Sequence, residues 1–233
     1  MKTFAIIPSG GLGRRMNNPP YLAEKQTPKQ YLKFQGKELI AYTLQIFQDS
    51  PHVEEIIIPA QKEFFPLLNE IKEKYSLGKI KSIVEGGSER QHSVFNALKS
   101  IGAEDEDLII VHDAVRPLLP HDILYNAISA AKDYGAAVVA LKAKDTLIKG
   151  TDSVHSYVDR NEIYYAQTPQ IFRYKILFGA MKKAEDENFT GTDESMIVHR
   201  SGYKVKIVEG SSLNFKITNP DDIRLFQFIS EKN

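Results

Sequence analysis

The sequence predicts an α/β fold: a Rossmann-like, mostly parallel sheet with helices on both faces and a projecting β-arm. Three observations point there. Short β-rich runs alternate with amphipathic helical segments from the first residues onward. A glycine-rich turn, Gly10-Gly11-Leu12-Gly13, directly follows the first apolar run. The stretch from Lys142 to Thr168 breaks the alternation with short β segments separated by polar residues and Gly150. Hydrophobic residues make up 42% of the 233, enough for a substantial core, and the expected organisation is one domain over 1–233 with its arm at about 142–168.

The elements follow in order. Thr3-Phe4-Ala5-Ile6-Ile7 reads as a buried first strand. The segment Leu39 to Phe47 puts Ile40, Leu44 and Phe47 on one helical face. Glu55-Ile56-Ile57-Ile58 and Lys81-Ser82-Ile83-Val84 are strands. Ser88-Glu89-Arg90-Gln91 has the form of a capping box opening a helix through Leu98. Leu108-Ile109-Ile110-Val111 is the clearest buried strand. A helix from about His121 to Tyr134 precedes the strand Ala137-Val138-Val139-Ala140. Thr146-Leu147-Ile148, Val154 to Val158 and Ile163-Tyr164-Tyr165 make a projecting hairpin, which cannot bury both faces alone and is expected to pack on a partner chain. Lys216 is placed at a strand end. Asn219-Pro220-Asp221-Asp222 then supplies an N-cap, a first-turn proline and acids favoured by the helix dipole.

Composition excludes several function classes. Thirty basic and thirty acidic residues cancel, which argues against bulk electrostatic binding of nucleic acid. The chain has no cysteine, hence no disulfide, thiolate metal site or cysteine nucleophile. No signal pattern and no apolar run of membrane length is present, so no membrane association is expected and a cytoplasmic location is the expectation.

Chemistry concentrates where strands end, the usual ligand position of a parallel sheet. In Ser9-Gly10-Gly11-Leu12-Gly13-Arg14-Arg15 the glycines allow close backbone approach, backbone N–H groups can cradle phosphate oxygens, and the arginines match phosphate geometry. Lys29 adds a second cation. Asp113 falls at the tip of the strongest strand, where one carboxylate can hold Mg²⁺ together with substrate phosphates. Arg116 is placed to clamp a phosphate across the cleft. Gly87 would admit a flat base, Ser93 would hydrogen-bond its edge, and Ser88 would cap the helix that follows. His112 reads as a packed strand-end residue. There is no Gly-x-Ser-x-Gly elbow and no zinc-like His/Glu spacing. Arg15, Lys29 and Lys216 as cations, Asp113 as metal ligand, and glycine loops for phosphate and base together suit phosphoryl or nucleotidyl transfer.

These segments resemble the 2-C-methyl-D-erythritol 4-phosphate cytidylyltransferase family. The resemblance runs through Gly11-Leu12-Gly13-Arg14-Arg15-Met16, Pro28-Lys29-Gln30-Tyr31-Leu32, Gly86-Gly87 with Arg90 and Ser93-Val94, and His112 to Pro117. It continues through Asp145-Thr146, Val158-Asp159-Arg160, Ala166-Gln167-Thr168-Pro169-Gln170, Thr192-Asp193-Glu194 and Asn214 to Thr218. It implies a homodimer built through the arm and the joining of CTP to methylerythritol 4-phosphate with release of pyrophosphate. Arg15 and Lys29 would stabilise charge on the α-phosphate. Asp113 would hold the divalent metal, Mg²⁺ or another. Ser9, Gly10, Gly11, Gly13, Gly87, Ser88, Ser93, Thr168 and Thr192 would line the substrate site. Arg116, Thr146, Arg160 and Lys216 would position the phosphorylated alcohol, with Thr146 and Arg160 reaching in from the partner's arm. The segment 17–27 is longer than usual for the family and suggests a flap over the triphosphate. Ribitol-5-phosphate cytidylyltransferase, a non-catalytic CTP-binding regulator and a nicotinamide dehydrogenase are the rival readings. The last lacks both the third glycine of its fingerprint, where Met16 stands, and the ribose-binding acid.

Overall fold

The computed structural model describes residues 1–11 and 27–231. Seven strands form the central sheet: β1 (Thr3–Ile6), β4 (Glu55–Ala60), β5 (Ile80–Glu85), β6 (Leu108–Val111), β7 (Ala136–Lys142), β10 (Tyr164–Arg173) and β11 (Lys206–Glu209), in spatial order β11-β7-β10-β6-β1-β4-β5. Two small two-stranded ladders stand apart from it, β2 (Lys33–Phe34) with β3 (Lys37–Glu38) and β8 (Leu147–Gly150) with β9 (Val154–Val158). The helices are α1 (Leu39–Asp49), α2 (Phe65–Lys74), α3 (Arg90–Ser100), α4 (His121–Tyr134), α5 (Tyr174–Asp186), α6 (Glu194–Arg200) and α7 (Pro220–Ser230).

The pairings of β1 with β4 and β6, of β4 with β5, and of β11 with β7 are parallel; within the central sheet, among the described residues, only β10 runs antiparallel to its neighbours, β6 and β7. Side chains of a strand alternate between faces, and here the alternation divides the core in two. Ala5, Ile56, Ile58, Ile110 and Ala137 meet α1, α2 and α4 through Leu44, Phe47, Leu68 and Ala127. Phe4, Ile6, Ile57, Ile109 and Phe172 meet α3, α5 and α6 through Leu98, Leu177 and Val198. A third cluster seats α7: Phe226 packs with Phe34, Leu39 and Ile217 and is fully buried, a contribution of roughly 1.5–3 kcal/mol for such a side chain. The expected Asn219 cap of α7 is a complete capping box with Asp222. Helix α4 stops at Gly135, whose φ of +80° suits glycine and whose N–H bonds Ala131 O.

Three expectations are corrected. Ser88 does not cap α3. Glu89 holds the N-cap position without a side-chain bond, and Ser88 Oγ lies 3.0 Å from His92 Nδ1. Gln91, which should close that box, is buried and bonds Phe189 O and the Gly191 N–H instead. Second, Ile163-Tyr164-Tyr165 is not part of the hairpin: Tyr164 and Tyr165 begin β10, pairing with Lys142 and Leu141 of β7. The arm proper is the separate β8–β9 ladder, which lies between β7 and β10 in the chain, and it exposes Ile148, Val154 and Tyr157. Third, Lys216 lies in irregular backbone, not in a strand. Ile217 N–H to Val115 O (3.0 Å) ties that segment to the loop after β6. Among the described residues, no helix is long and apolar enough to cross a membrane.

Candidate active site

The C-terminal ends of β1, β4, β5 and β6 lie side by side, and their following loops enclose an open cavity of about 670 Å³. From β1 come Ser9, Gly10 and Gly11. Their shape is held from behind. Gln30 donates to Ser9 O (2.6 Å) and Gly11 O (2.9 Å), and Gln61 donates to Gly10 O (3.2 Å). With the carbonyls so occupied, the N–H groups of Gly10 and Gly11 make no hydrogen bond among the described residues. Unpaired backbone donors beside a cavity are anion-binding groups. Gly13 and Arg15, the other expected members of this loop, lie outside the described residues.

Glycine is required after β5. A Cβ on Gly87 would meet His92 Cβ at 2.3 Å. Ser93 Oγ accepts from the Gly87 N–H at 3.0 Å and donates to Glu89 O at 3.0 Å, so it fastens the glycine turn to α3. Gly87, Ser88 and Ser93 all line the cavity, as expected.

Asp113, just past β6, forms the floor. Its side chain is only 10% exposed, yet three cations surround it: Lys216 Nζ at 3.0 Å and Arg116 Nε at 3.2 Å from Oδ2, and Arg90 at 3.4 Å from Oδ1. Burial pushes the carboxyl up, but Arg90, Lys216 and Arg116 together outweigh it and hold Asp113 well below the usual carboxylate range. Arg90 is in turn clamped by the fully buried Glu194, whose oxygens lie 2.6 and 2.7 Å from one guanidinium nitrogen. Arg116, expected across the cleft, instead turns inward, donating to Asp113 and to Asn214 O at 2.6 Å.

The floor is stiffened from below. Thr168 Oγ1 accepts from the Asp113 N–H at 3.1 Å and sits 3.1 Å from His112 Nδ1. Arg116 O, 3.2 Å from His112 Nε2, can only accept, so Nε2 carries the proton and Nδ1 accepts from the Thr168 hydroxyl. Burial pushes His112 down to about 4, so it is a neutral packing residue against Phe47, as its sequence context suggested.

Lys29 enters from a 3-10 turn over Lys29–Tyr31, lines the cavity and donates to Ile217 O at 2.8 Å. Three expected residues stand away from this chain's cavity. Thr146 and Arg160 are exposed around the arm, where Arg160 donates to Lys144 O. Thr192 is exposed just before α6.

Arg90 and Glu194 were quoted in sequence motifs but assigned no role. Arg90 carried a readable signal: it opens a helix, where the dipole disfavours a cation. Glu194 sits in the first turn of its own helix, where an acid is ordinary, so nothing marked it.

Among the described residues, no three His, Asp or Glu gather as a metal cage. Mg²⁺ carried on substrate phosphates needs only one or two protein carboxylates, and Asp113 supplies one at the cavity floor. The donor set therefore fits a metal shared with a polyphosphate.

Known proteins resemble this chain over nearly its whole length. The family described as 2-C-methyl-D-erythritol 4-phosphate cytidylyltransferase matches residues 3–232. A protein of that name from Geobacter metallireducens is 40% identical over 237 residues, spanning 100% of this chain and 99% of that one. Another from Clostridium acetobutylicum is 40% identical over 232 residues, spanning 98% and 97%. The crystal structure of the Francisella tularensis 2-C-methyl-D-erythritol 4-phosphate cytidylyltransferase superposes with a TM-score of 0.82 at 30% identity, covering 98% and 99% of the two chains. With the match running from residue 3 to residue 232, the chain belongs to the 2-C-methyl-D-erythritol 4-phosphate cytidylyltransferase family.

Proposed function

We propose that the protein transfers a cytidylyl group from CTP to 2-C-methyl-D-erythritol 4-phosphate in isoprenoid precursor synthesis by the non-mevalonate route. The observation that carries this reading is the junction at the strand ends. The N–H groups of Gly10 and Gly11, unpaired among the described residues, share one cavity with Lys29, Lys216 and a carboxylate of strongly depressed pKa. Such a cavity neutralises a polyphosphate without offering a protein nucleophile.

An oxygen of the acceptor phosphate attacks the α-phosphorus of CTP. The bond from that phosphorus to the bridging oxygen breaks, and pyrophosphate leaves with its electron pair. Gly10, Gly11 and Gly13 hold the triphosphate with Ser9 shaping the loop, and Arg15 and Lys29 stabilise the charge that develops around the α-phosphate. Gly87, Ser88 and Ser93 border the cytosine. Lys216, Arg160, Thr146 and Thr192 position the acceptor. Arg116 and Thr168 act through Asp113, which they hold in place. Asp113 would hold Mg²⁺ or another divalent ion, which when bound neutralises phosphate charge. The chain acts as one domain in a cytoplasmic homodimer, with Thr146 and Arg160 of each arm serving the other subunit's cavity.

The test is pyrophosphate release from purified protein, Mg²⁺ and CTP with methylerythritol 4-phosphate or ribitol 5-phosphate as acceptor. Release with the first and not the second supports the proposal; the reverse preference, or none, overturns it.

A further inference from the structure

Gly10 and Gly11 have no side chains to offer a ligand, so the direction of their peptides decides what they bind. Packing does not fix that direction. A Cβ on Gly10 would lie 3.9 Å from Ser93 Oγ, and one on Gly11 would meet nothing within 4 Å. Backbone without a Cβ rotates at little cost, and a peptide turned over here would present a carbonyl oxygen where an N–H now stands. Each peptide is planar and trans, so an N–H lies opposite the C=O of the residue before it. Holding Ser9 O therefore aims the Gly10 N–H, and holding Gly10 O aims the Gly11 N–H.

Two glutamines hold those carbonyls. Gln30 Nε2 lies 2.6 Å from Ser9 O and 2.9 Å from Gly11 O, and Gln61 Nε2 lies 3.2 Å from Gly10 O. Carbonyls only accept, so the amide nitrogen of Gln30 is the atom that faces them, and its two protons match its two carbonyls. What remains of that buried side chain for a ligand is an oxygen, which cannot bind an anion. The Tyr31 hydroxyl also approaches Ser9 O, at 3.3 Å, but its single proton is contested by Ser9 Oγ at 3.2 Å. We propose that Gln30 is a positioning residue which, with Gln61 at the next peptide, locks the Ser9–Gly10 and Gly10–Gly11 peptides with their N–H groups free for phosphate oxygens. Gln30 follows Lys29 on the same 3-10 turn, so one short element delivers a cation and aims the backbone donors. The identity of the anion, the triphosphate of CTP, rests on the cytidylyl-transfer reading; the lock itself does not.

The lock is read by binding, without turnover. Gln30→Met keeps the length of the side chain and removes its donors; Gln61→Met does the same at the half-buried partner and carries the test should Gln30→Met fail to fold. Folding is checked by thermal unfolding. CTP and cytidine are titrated by NMR, which reaches weak ligands. In Gln30→Met, CTP binding should weaken on the order of tenfold, the value of one hydrogen bond to a charged group, while cytidine binding stays as in the wild type. Unchanged CTP binding, or equal weakening of both ligands, overturns the role. Wild-type protein that binds neither ligand overturns the nucleotide reading, and the lock is then decided by a second titration with inorganic tripolyphosphate. The Gly10 and Gly11 amide proton signals of the wild-type protein should both move downfield. Gln30→Met should lose most of the movement at Gly10, and Gln61→Met most of it at Gly11. No movement in the wild type, or movement in the variants equal to that of the wild type, overturns the proposal.

Discussion

Replacing Glu194 with alanine probes the support beneath the site. Glu194 is fully buried, and both its oxygens engage Arg90. Glu194→Ala deletes those contacts and leaves the guanidinium with Asp113 at 3.4 Å. Breaking a buried ion pair by removing one partner typically costs about 3–5 kcal/mol. Arg90 keeps 30% of its side chain exposed, so water can reach the stranded charge and the loss falls just below that range, at about 2–3 kcal/mol. The assay is urea unfolding at pH 7, with the midpoint falling and the slope unchanged. A double variant separates the pair from the cavity it leaves. Replacing both partners by apolar residues, Arg90→Met with Glu194→Leu, should recover at least about 1 kcal/mol relative to the sum of the single changes. Catalysis should not recover with it, since the positive charge facing Asp113 Oδ1 is gone. A loss below about 0.5 kcal/mol for Glu194→Ala, the range of ordinary surface changes, or strict additivity in the double variant, would refute the argument.

Lys29→Ala should lower kcat about 100- to 1000-fold while CTP still binds, as expected when one preorganised charge on a transition state is removed; near-normal turnover contradicts its role. Lys29→Ala and Arg160→Ala homodimers should both be nearly inactive, yet co-refolding them should restore activity, because one site of the mixed dimer keeps both cations. Confirmed chain exchange without recovered activity would show that the arm does not act in trans. Tyr31 is buried behind the glycine loop, which pushes its hydroxyl from an ordinary value near 10 up to about 12. Its neutral form is favoured in the folded state, so its contribution is complete below pH 10 and fades as pH rises towards 12, by about 1.4 kcal/mol at pH 11. Tyr31→Phe should lack this component, and an unfolding free-energy difference between the two proteins that stays flat from pH 9 to 11 would exclude it.

The parallel core was legible because its strands are short apolar runs bounded by polar turns, and Leu108–Val111 is buried at every position. The helix expected from about His121 to Tyr134 has those limits as α4, and the Asn219 cap marked the start of α7. What stayed hidden was decided by tertiary contacts. Tyr164 and Tyr165 alternate like an arm strand, and only pairing with Lys142 and Leu141 makes them part of β10. Ser88 and Gln91 satisfy the pattern of a capping box, but the buried demand of Phe189 O and the Gly191 N–H claims Gln91. Within the site, the glycines and Asp113 could be placed because each follows a strand end in sequence, and Lys29 and Lys216 by their motifs, although Lys216 does not lie at the strand end expected of it. The direction of Arg116 could not, since Asn214 O, which draws it inward, is 98 residues away.

The central claim is that the acceptor's phosphate is itself the nucleophile at the α-phosphorus of CTP in this cavity. The most direct measurement is ³¹P NMR of the reaction run with methylerythritol 4-phosphate whose phosphate carries ¹⁸O. The account predicts that all of the label appears in the CDP-alcohol, including the oxygen bridging its two phosphorus atoms, and that the pyrophosphate is unlabelled. Label in the pyrophosphate, loss of label from the product, or no product at all would contradict it.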